Sequence, residues 1–291
     1  MLDIECVAAV ADLFGESPVW SAPDQALYWV DVTRPALHRH QPATGTLESW
    51  PMAEDIGSIG LAQAGRFVAG MRSGFYLVDP RSNERTLLAA LPTDDPCLRL
   101  NDGKCDRAGR FWSGTLDDRG FAPVGTLYRL DTDRRCTAMD DGFVLVNGIA
   151  WSPDDRYMYV ADSRREVVYR YEFDLAEGGI ANRQPFISTE DVVGRVDGAT
   201  VATDGTYWCA HVRGGQVAQY DPDGRLMRAI PLPVKYPLMC SFGGPDLSTL
   251  YVTTSLALVS AEEAAAQPLA GSLFAIHGSG CRGIAEPVYG G

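Results

Sequence analysis

The chain has 291 residues, 46% of them hydrophobic and 22% charged, a composition that supports a sizeable packed core and lies far from that of disordered chains. Thirty-eight acidic residues against 25 basic ones leave a net charge of −13 at pH 7, which repels phosphate backbones and anionic lipid, so neither nucleic acid nor a membrane surface is an expected partner. Length alone allows one domain or two, while 30 glycines and 18 prolines favour many tight turns over a few long helices.

The chain opens on MLDIEC, with neither a basic n-region nor an apolar h-region, and no stretch approaches 18 uninterrupted apolar residues. A cytoplasmic protein without a membrane span is expected. Cysteines stand at 6, 97, 105, 136, 209, 240 and 281 with no CxxC pair, which reads as reduced thiols. After an apolar segment from Ile4 to Val10, one unit recurs along the chain: a turn with Asp, Gly or Pro, then a short aromatic and β-branched run. Its copies are SAPDQALYWVD (21–31), AQAGRFVAG (62–70), CDRAGRFWSG (105–114), SPDDRYMYVAD (152–162), ATDGTYWCA (202–210) and GPDLSTLYVTT (244–254). Each reads as a hairpin. With Ala26, Phe67, Phe111, Tyr157, Tyr207 and Leu250 as anchors, the spacings are 41, 44, 46, 50 and 43 residues, the length of a four-stranded propeller blade.

A second strand-turn-strand unit follows each first one, the last being GSLFAIHGSGCRGIAEPVY. The expectation is an all-β, six-bladed β-propeller of four-stranded antiparallel blades, about 24 strands, forming one domain over 1–291. Ile4–Val10 is expected to close the ring by joining the last blade. The one helical interruption is SAEEAAAQPLAG (260–271), where Ser260 and Glu263 fit a capping box.

The first strand of a propeller blade lines the central channel, so one repeat position faces one axial site. Ten residues before the anchors stand Glu16, Gly57, Asn101, Asn147, Asp197 and Cys240. Any one of these pieces alone is an ordinary strand-capping turn. Together they bring two carboxylates and two amides to one channel, where the two carboxylates would repel unless a cation or a shared proton intervened. The hard oxygen set calls for one divalent metal ion, with Ca²⁺ favoured, Mg²⁺ and Mn²⁺ next, and Zn²⁺ or Fe²⁺ admitted. Arg99, two residues before Asn101, shares its strand face and suits either a substrate contact or a surface salt bridge. Asp117 and Asp118 lie on the loop beyond the same repeat, where a solvated acidic turn competes with contacts to substrate hydroxyls. His211 is expected at the channel mouth, and His38 and His40 on the exposed face of an outer strand. Gly57-Ser58-Ile59-Gly60 is not a nucleophile elbow, because Ile56 replaces the first glycine. Gly103-Lys104 runs into Cys105 rather than the Ser or Thr of a phosphate loop.

The segments Phe14-Gly-Glu-Ser-Pro-Val-Trp20, Arg99-Leu-Asn-Asp-Gly-Lys-Cys-Asp106, Gly109-Arg-Phe-Trp-Ser-Gly-Thr115, Asn147-Gly-Ile-Ala-Trp-Ser-Pro-Asp154, Val196-Asp-Gly198 and Phe242-Gly-Gly-Pro-Asp246 make the chain resemble the SMP-30/gluconolactonase/regucalcin family over nearly its whole length. The resemblance implies that Glu16, Asn147 and Asp197 hold the metal, that Asn101 lies beside metal and substrate, and that Arg99 contacts substrate. A substrate-contacting glutamate of animal members has no counterpart here, and Asp117 or Asp118 stands nearest its place. The function expected is metal-dependent opening of a sugar lactone to the aldonic acid in cytoplasmic sugar oxidation, with Asp197 taking the water proton. Asp118 and His211 complete the expected substrate contacts. The rival is a non-catalytic Ca²⁺-binding regulator, or an interaction propeller with a structural metal. The expected partner is a small-molecule sugar lactone, bound by a monomer or weak homo-oligomer.

Overall fold

The computed structural model describes residues 2–291. Strand β1 (Asp3–Ala8) comes first in the chain, and five blades follow it in order. The first blade holds β2 (Gly15–Ser21), β3 (Ala26–Asp31), β4 (Ala36–Gln41) and β5 (Thr46–Pro51); the second holds β6 (Ile56–Ala62), β7 (Phe67–Met71), β8 (Gly74–Asp79) and β9 (Glu84–Ala90). The third is built from β10 (Leu98–Cys105), β11 (Phe111–Asp117), β12 (Gly125–Leu130) and β13 (Cys136–Phe143). The fourth comprises β14 (Val146–Trp151), β15 (Tyr157–Asp162), β16 (Val167–Asp174) and β17 (Gly179–Ser188). The fifth comprises β18 (Arg195–Val201), β19 (Tyr207–Val212), β20 (Gln216–Tyr220) and β21 (Leu226–Pro231). In the sixth, β22 (Pro237–Gly243), β23 (Thr249–Thr254) and β24 (Leu273–His277) are joined by β1, which pairs antiparallel with β24 through Ile4↔Ile276 and Cys6↔Phe274. The molecule is a six-bladed β-propeller. Five of the six anchors begin the second strand of their blade, and Leu250 is one residue inside β23.

The blades adhere through a repeated aromatic contact. Trp20 stacks on Tyr251 at 6.0 Å between the first and sixth blades. Around the ring follow Tyr28 with Phe67, Phe75 with Phe111, Trp112 with Trp151, Tyr159 with Tyr207, and Trp208 with Phe242. Every blade junction thus carries at least one such pair, each worth about 0.5–1.5 kcal/mol beyond the area it buries. All of these aromatics except Phe75, on the third strand of its blade, belong to the inner hairpins, which is why the repeat was legible as chemistry and not only as spacing.

The second unit of the sixth repeat does not form two strands. Its first half is β24. The rest runs across the channel, bridging Ala202 at Gly283, and ends in β25 (Val288–Tyr289), which pairs parallel with β6 at Leu61 and Ala62. Tyr289 is fully buried there and donates to Asp131 O at 3.1 Å. The expected fourth strand of that blade is β1. The insertion contributes a four-residue helix, α1 (Ala261–Ala264), with the Ser260–Glu263 capping box in place. The seven cysteines are free, and no helix among the described residues is long and apolar enough to cross a membrane.

Two histidines depart from expectation. His38 and His40 are both buried. His38 packs on Trp29 at 5.1 Å, with its Nε2 3.2 Å from Asp12 Oδ1, while Trp29 Nε1 donates to Asp12 Oδ2 at 2.8 Å. Asp12 lies far upstream in the chain, so spacing on the strand alone does not reveal the contact.

Candidate functional site

A cavity of about 270 Å³ opens at one end of the channel, and Glu16, Arg99, Asn101, Asn147, Asp197 and Asp118 all line it. The local cause is a recurring irregularity: each inner strand loses ladder register with its neighbour at or next to the residue of interest, between Glu16 and Val19, Leu100 and Gly103, Asn147 and Ala150, and Val196 and Ala199. Such bulges re-aim side chains out of the regular pleat. Ser17 and Gly148, which follow Glu16 and Asn147, both adopt positive φ, +53° and +59°. Beyond the bulge, a Cβ at Gly148 would come within 2.4 Å of Tyr207 Oη, so that position has room for glycine alone.

The backbone entering these bulges is tied down from the second strand. Asp31, the last residue of β3, accepts from Leu13 N at 2.9 Å and Phe14 N at 3.2 Å. Asp162, the last residue of β15, accepts from Val144 N at 2.9 Å and Leu145 N at 3.2 Å. Both carboxylates are fully buried. Each fixes the chain just ahead of Glu16 or Asn147.

A directional relay links the amides. Arg99 Nη1 donates to Asn101 Oδ1 at 3.1 Å, Asn101 Nδ2 donates to Asn147 Oδ1 at 2.8 Å, Asn147 Nδ2 donates to Ser163 Oγ at 2.8 Å, and Ser163 Oγ donates to Val196 O. A guanidinium can only donate and a carbonyl can only accept, so the two ends determine the orientation of every amide between them. Asn147 therefore keeps its oxygen free of any competing flip.

Burial, followed by the negative charges of Asp197 and Asp102, holds the Glu16 carboxyl well above the usual carboxylate range, with Arg99 opposing. Burial first and Asp102 second raise Asp197 well above its ordinary value too. Asp102 itself is buried; its Oδ2 accepts from Ile149 N at 3.1 Å and its Oδ1 has no hydrogen-bond partner among the described residues. Acidic groups crowded out of water gain by sharing a cation. Among the described residues no group of three His, Cys, Asp or Glu side chains gathers at metal-binding range. A cation here would draw on amide as well as carboxylate oxygen. Glu16, Asp197 and the held oxygen of Asn147 are such a hard donor set, and they fit a divalent ion.

The other expected members separate. Asp118 binds Arg72 at 2.7 Å at the cavity wall, and Asp55 holds the same guanidinium at 2.7 Å. Asp117 instead folds its own loop, accepting from Arg119 N and Ala122 N. His211 lies outside the cavity: it is fully buried, 3.1 Å from Tyr220 Oη, and burial pulls its pKa down to about 4. Two repeat positions bring no donor. Gly57 is glycine because a Cβ would sit 2.6 Å from Leu100 O and 2.7 Å from Asn101 O. In the sixth blade the irregularity falls between Pro237 and Met239, so Leu238 faces the cavity and Cys240 turns into the core. Asp102 and Ser163 escaped the sequence reading. The only available signal was that Asp102 follows Asn101 and that Ser163 follows the strand-ending Asp162.

Comparison with known proteins gives a consistent picture. The SMP-30/Gluconolactonase/LRE-like region model matches residues 14–256. A 6-deoxy-6-sulfogluconolactonase of Pseudomonas putida is 39% identical over 291 residues, with 99% of each chain covered. Regucalcin of Danio rerio is 35% identical, covering 100% of this chain and 99% of the relative. The crystal structure of a calcium-binding protein, regucalcin, from Agrobacterium tumefaciens superposes with a TM-score of 0.93 at 25% identity, over 98% of this chain and 96% of that one.

Proposed function

The chain belongs to the SMP-30/gluconolactonase/LRE-like family, and from that premise we propose that it is a lactonase that opens the ring ester of a pentono- or hexonolactone to the aldonic acid. The observation that carries this reading is the cavity itself, where Glu16, Asn147 and Asp197 meet Arg99 and Asn101 beneath space for a monosaccharide. A purely structural ion would need neither that space nor Arg99, which supports catalysis over a non-catalytic calcium-binding role.

Glu16, Asn147 and Asp197 would hold a divalent cation, which when bound would supply positive charge for the carbonyl oxygen and acidify water. The chain's residues do the rest. Asp197 accepts the proton of the attacking water as its oxygen bonds to the carbonyl carbon. The ring C–O bond then breaks as the ring oxygen takes that proton from Asp197 and leaves as a hydroxyl, and the new carboxyl group ionises. Arg99, which burial and the neighbouring Arg72 pull below the usual arginine range, donates to sugar oxygens beside Asn101. A cytoplasmic place in sugar oxidation accords with a product that is a free aldonic acid.

Acid release from a panel of xylono-, arabino-, galactono- and gluconolactones, with and without chelator, tests the proposal. Turnover that disappears on chelation and returns with Ca²⁺, Mn²⁺ or Zn²⁺ is expected, and Asp197→Asn should remove it while preserving the fold. No hydrolysis of any lactone by the metal-loaded protein would overturn the reading.

A further inference from the structure

For a chain of net charge −13, this cavity is lined by a surprising number of cations: Arg72, Arg99, Arg164, Arg195 and Arg213. Their partners divide them. Arg72 is held by Asp55 and Asp118, and Arg99 by the amide relay. The other three belong to the fourth and fifth blades and share a single carboxylate, since Arg195 Nε binds Glu166 Oε1 at 3.0 Å. Arg164 and Arg213 pair with no acidic side chain among the described residues. Arg164 lies instead over the ring of Phe121, 3.8 Å from its centroid. After desolvation, the charges acting on Arg164 are those of Arg195 and Arg213, and together they pull its pKa below the ordinary arginine value. Like charges brought together in this way cost stability unless something negative joins them.

Position adds to the argument. Arg195 stands two residues before Asp197 on β18, and Arg164 directly follows Ser163, the last side chain of the relay. Arg213 holds φ at +68° in the turn after β19, a sparsely populated conformation of the kind that clusters at ligand sites. Among the described residues its guanidinium makes no hydrogen bond or ion pair. The three forks therefore border the space next to the reacting centre on separate segments, Arg195 neutralised by Glu166, Arg164 and Arg213 with no acidic side chain against them among the described residues.

We propose that Arg164, Arg195 and Arg213 form an anion-binding rim, and that the lactone opened by this chain carries a tetrahedral oxyanion, a sulfonate or a phosphate ester, on the part of its carbon chain remote from the ring carbonyl. The proposal rests on the lactonase reading above and narrows its substrate class. Guanidinium forks match sulfonate and phosphate oxygens in paired hydrogen bonds, and three forks can serve three oxygens.

The test compares gluconolactone with its 6-sulfonate and 6-phosphate analogues in the native protein, in Arg213→Gln, and in the Arg164→Gln/Arg213→Gln pair. Both residues are exposed, so folding is not at stake. The native protein should favour one anionic lactone over the neutral one about 10- to 100-fold in kcat/KM, the range of one or two charge-assisted hydrogen bonds. That preference should collapse in the double variant, mainly through KM, and return in part in Arg213→Lys. Which analogue wins separates a singly charged sulfonate from a more highly charged phosphate. Equal kcat/KM for anionic and neutral lactones, or a preference untouched by the double variant, would overturn the rim. Calorimetric binding of 6-sulfogluconate and 6-phosphogluconate keeps the two readings apart. Binding lost in the double variant supports the rim even where no lactone is hydrolysed, and native protein that binds neither anion refutes it.

Discussion

The side-chain nitrogen of Asn101 donates to Asn147 Oδ1 at 2.8 Å, so a residue of the third blade orients a candidate cation ligand of the fourth. That contact is one link of a relay whose polarity is decided far from the ligand, at Arg99 and at Val196 O. Ser163→Ala removes the acceptor for Asn147 Nδ2 and lets the amide turn. Cation affinity measured by calorimetry should fall about 10- to 100-fold, the usual effect of losing a partner that orients a ligand. An unchanged affinity would mean that the relay does not set the amide.

Asp162 offers a sharper structural test. Its carboxylate is fully buried and accepts from two backbone N–H groups ahead of Asn147. Asp162→Ala leaves both donors unpaired at a cost of about 2–4 kcal/mol, while Asp162→Asn retains one acceptor and should cost less. Urea unfolding measures the difference. Because the strap positions Asn147, lactone turnover should drop in both variants at temperatures where they remain folded.

His211 gives a pH dependence with a definite sign. Burial depresses its pKa from 6.5 to about 4, so between these values the unfolded chain binds a proton that the native state refuses. Stability therefore falls as pH drops from about 6.5 to 4, by on the order of 3 kcal/mol, and this group contributes no further change below that. Denaturation midpoints across the window should decline more steeply for the native protein than for His211→Phe. Parallel slopes would remove His211 as the cause.

Tyr289 anchors the tail that crosses the channel. Its ring is fully buried and its hydroxyl reaches Asp131 O. Tyr289→Ala should destabilise by about 3 kcal/mol or more, as for other large aromatic truncations in a core, and Tyr289→Phe by about 1 kcal/mol. Thermal unfolding reads both; a neutral alanine variant would show the tail to be dispensable.

The propeller was legible because each blade must present the same aromatic inner hairpin to its neighbours, and Phe67, Phe111, Tyr157 and Tyr207 mark that need at nearly regular intervals. That Glu16, Asn101, Asn147 and Asp197 would share one cavity was legible for a related reason: symmetry sends one repeat position to one place, and Arg99 followed from sharing the strand face of Asn101. Counting failed where symmetry did. The sixth inner strand shifts register next to Leu238, exchanging it for Cys240, a local backbone choice with no mark in composition. His38, His211 and the tail failed differently, because Asp12, Tyr220 and β6 meet them through tertiary contacts rather than along one element. The arginine rim is likewise assembled from three separate segments, and no run of residues announces it.

The pairing of β1 with β24 has a consequence for how the protein is made. Residues 3–8 are translated well before their partner, 273–277. At ordinary rates of synthesis the first strand waits on the order of tens of seconds with an open edge. Asp3 and Glu5, both exposed in the finished ring, place charge on that edge and discourage it from pairing with another nascent chain. The sixth blade is thus assembled from strands that flank the other five blades in the chain, and the ring cannot snap shut until β24 has been made.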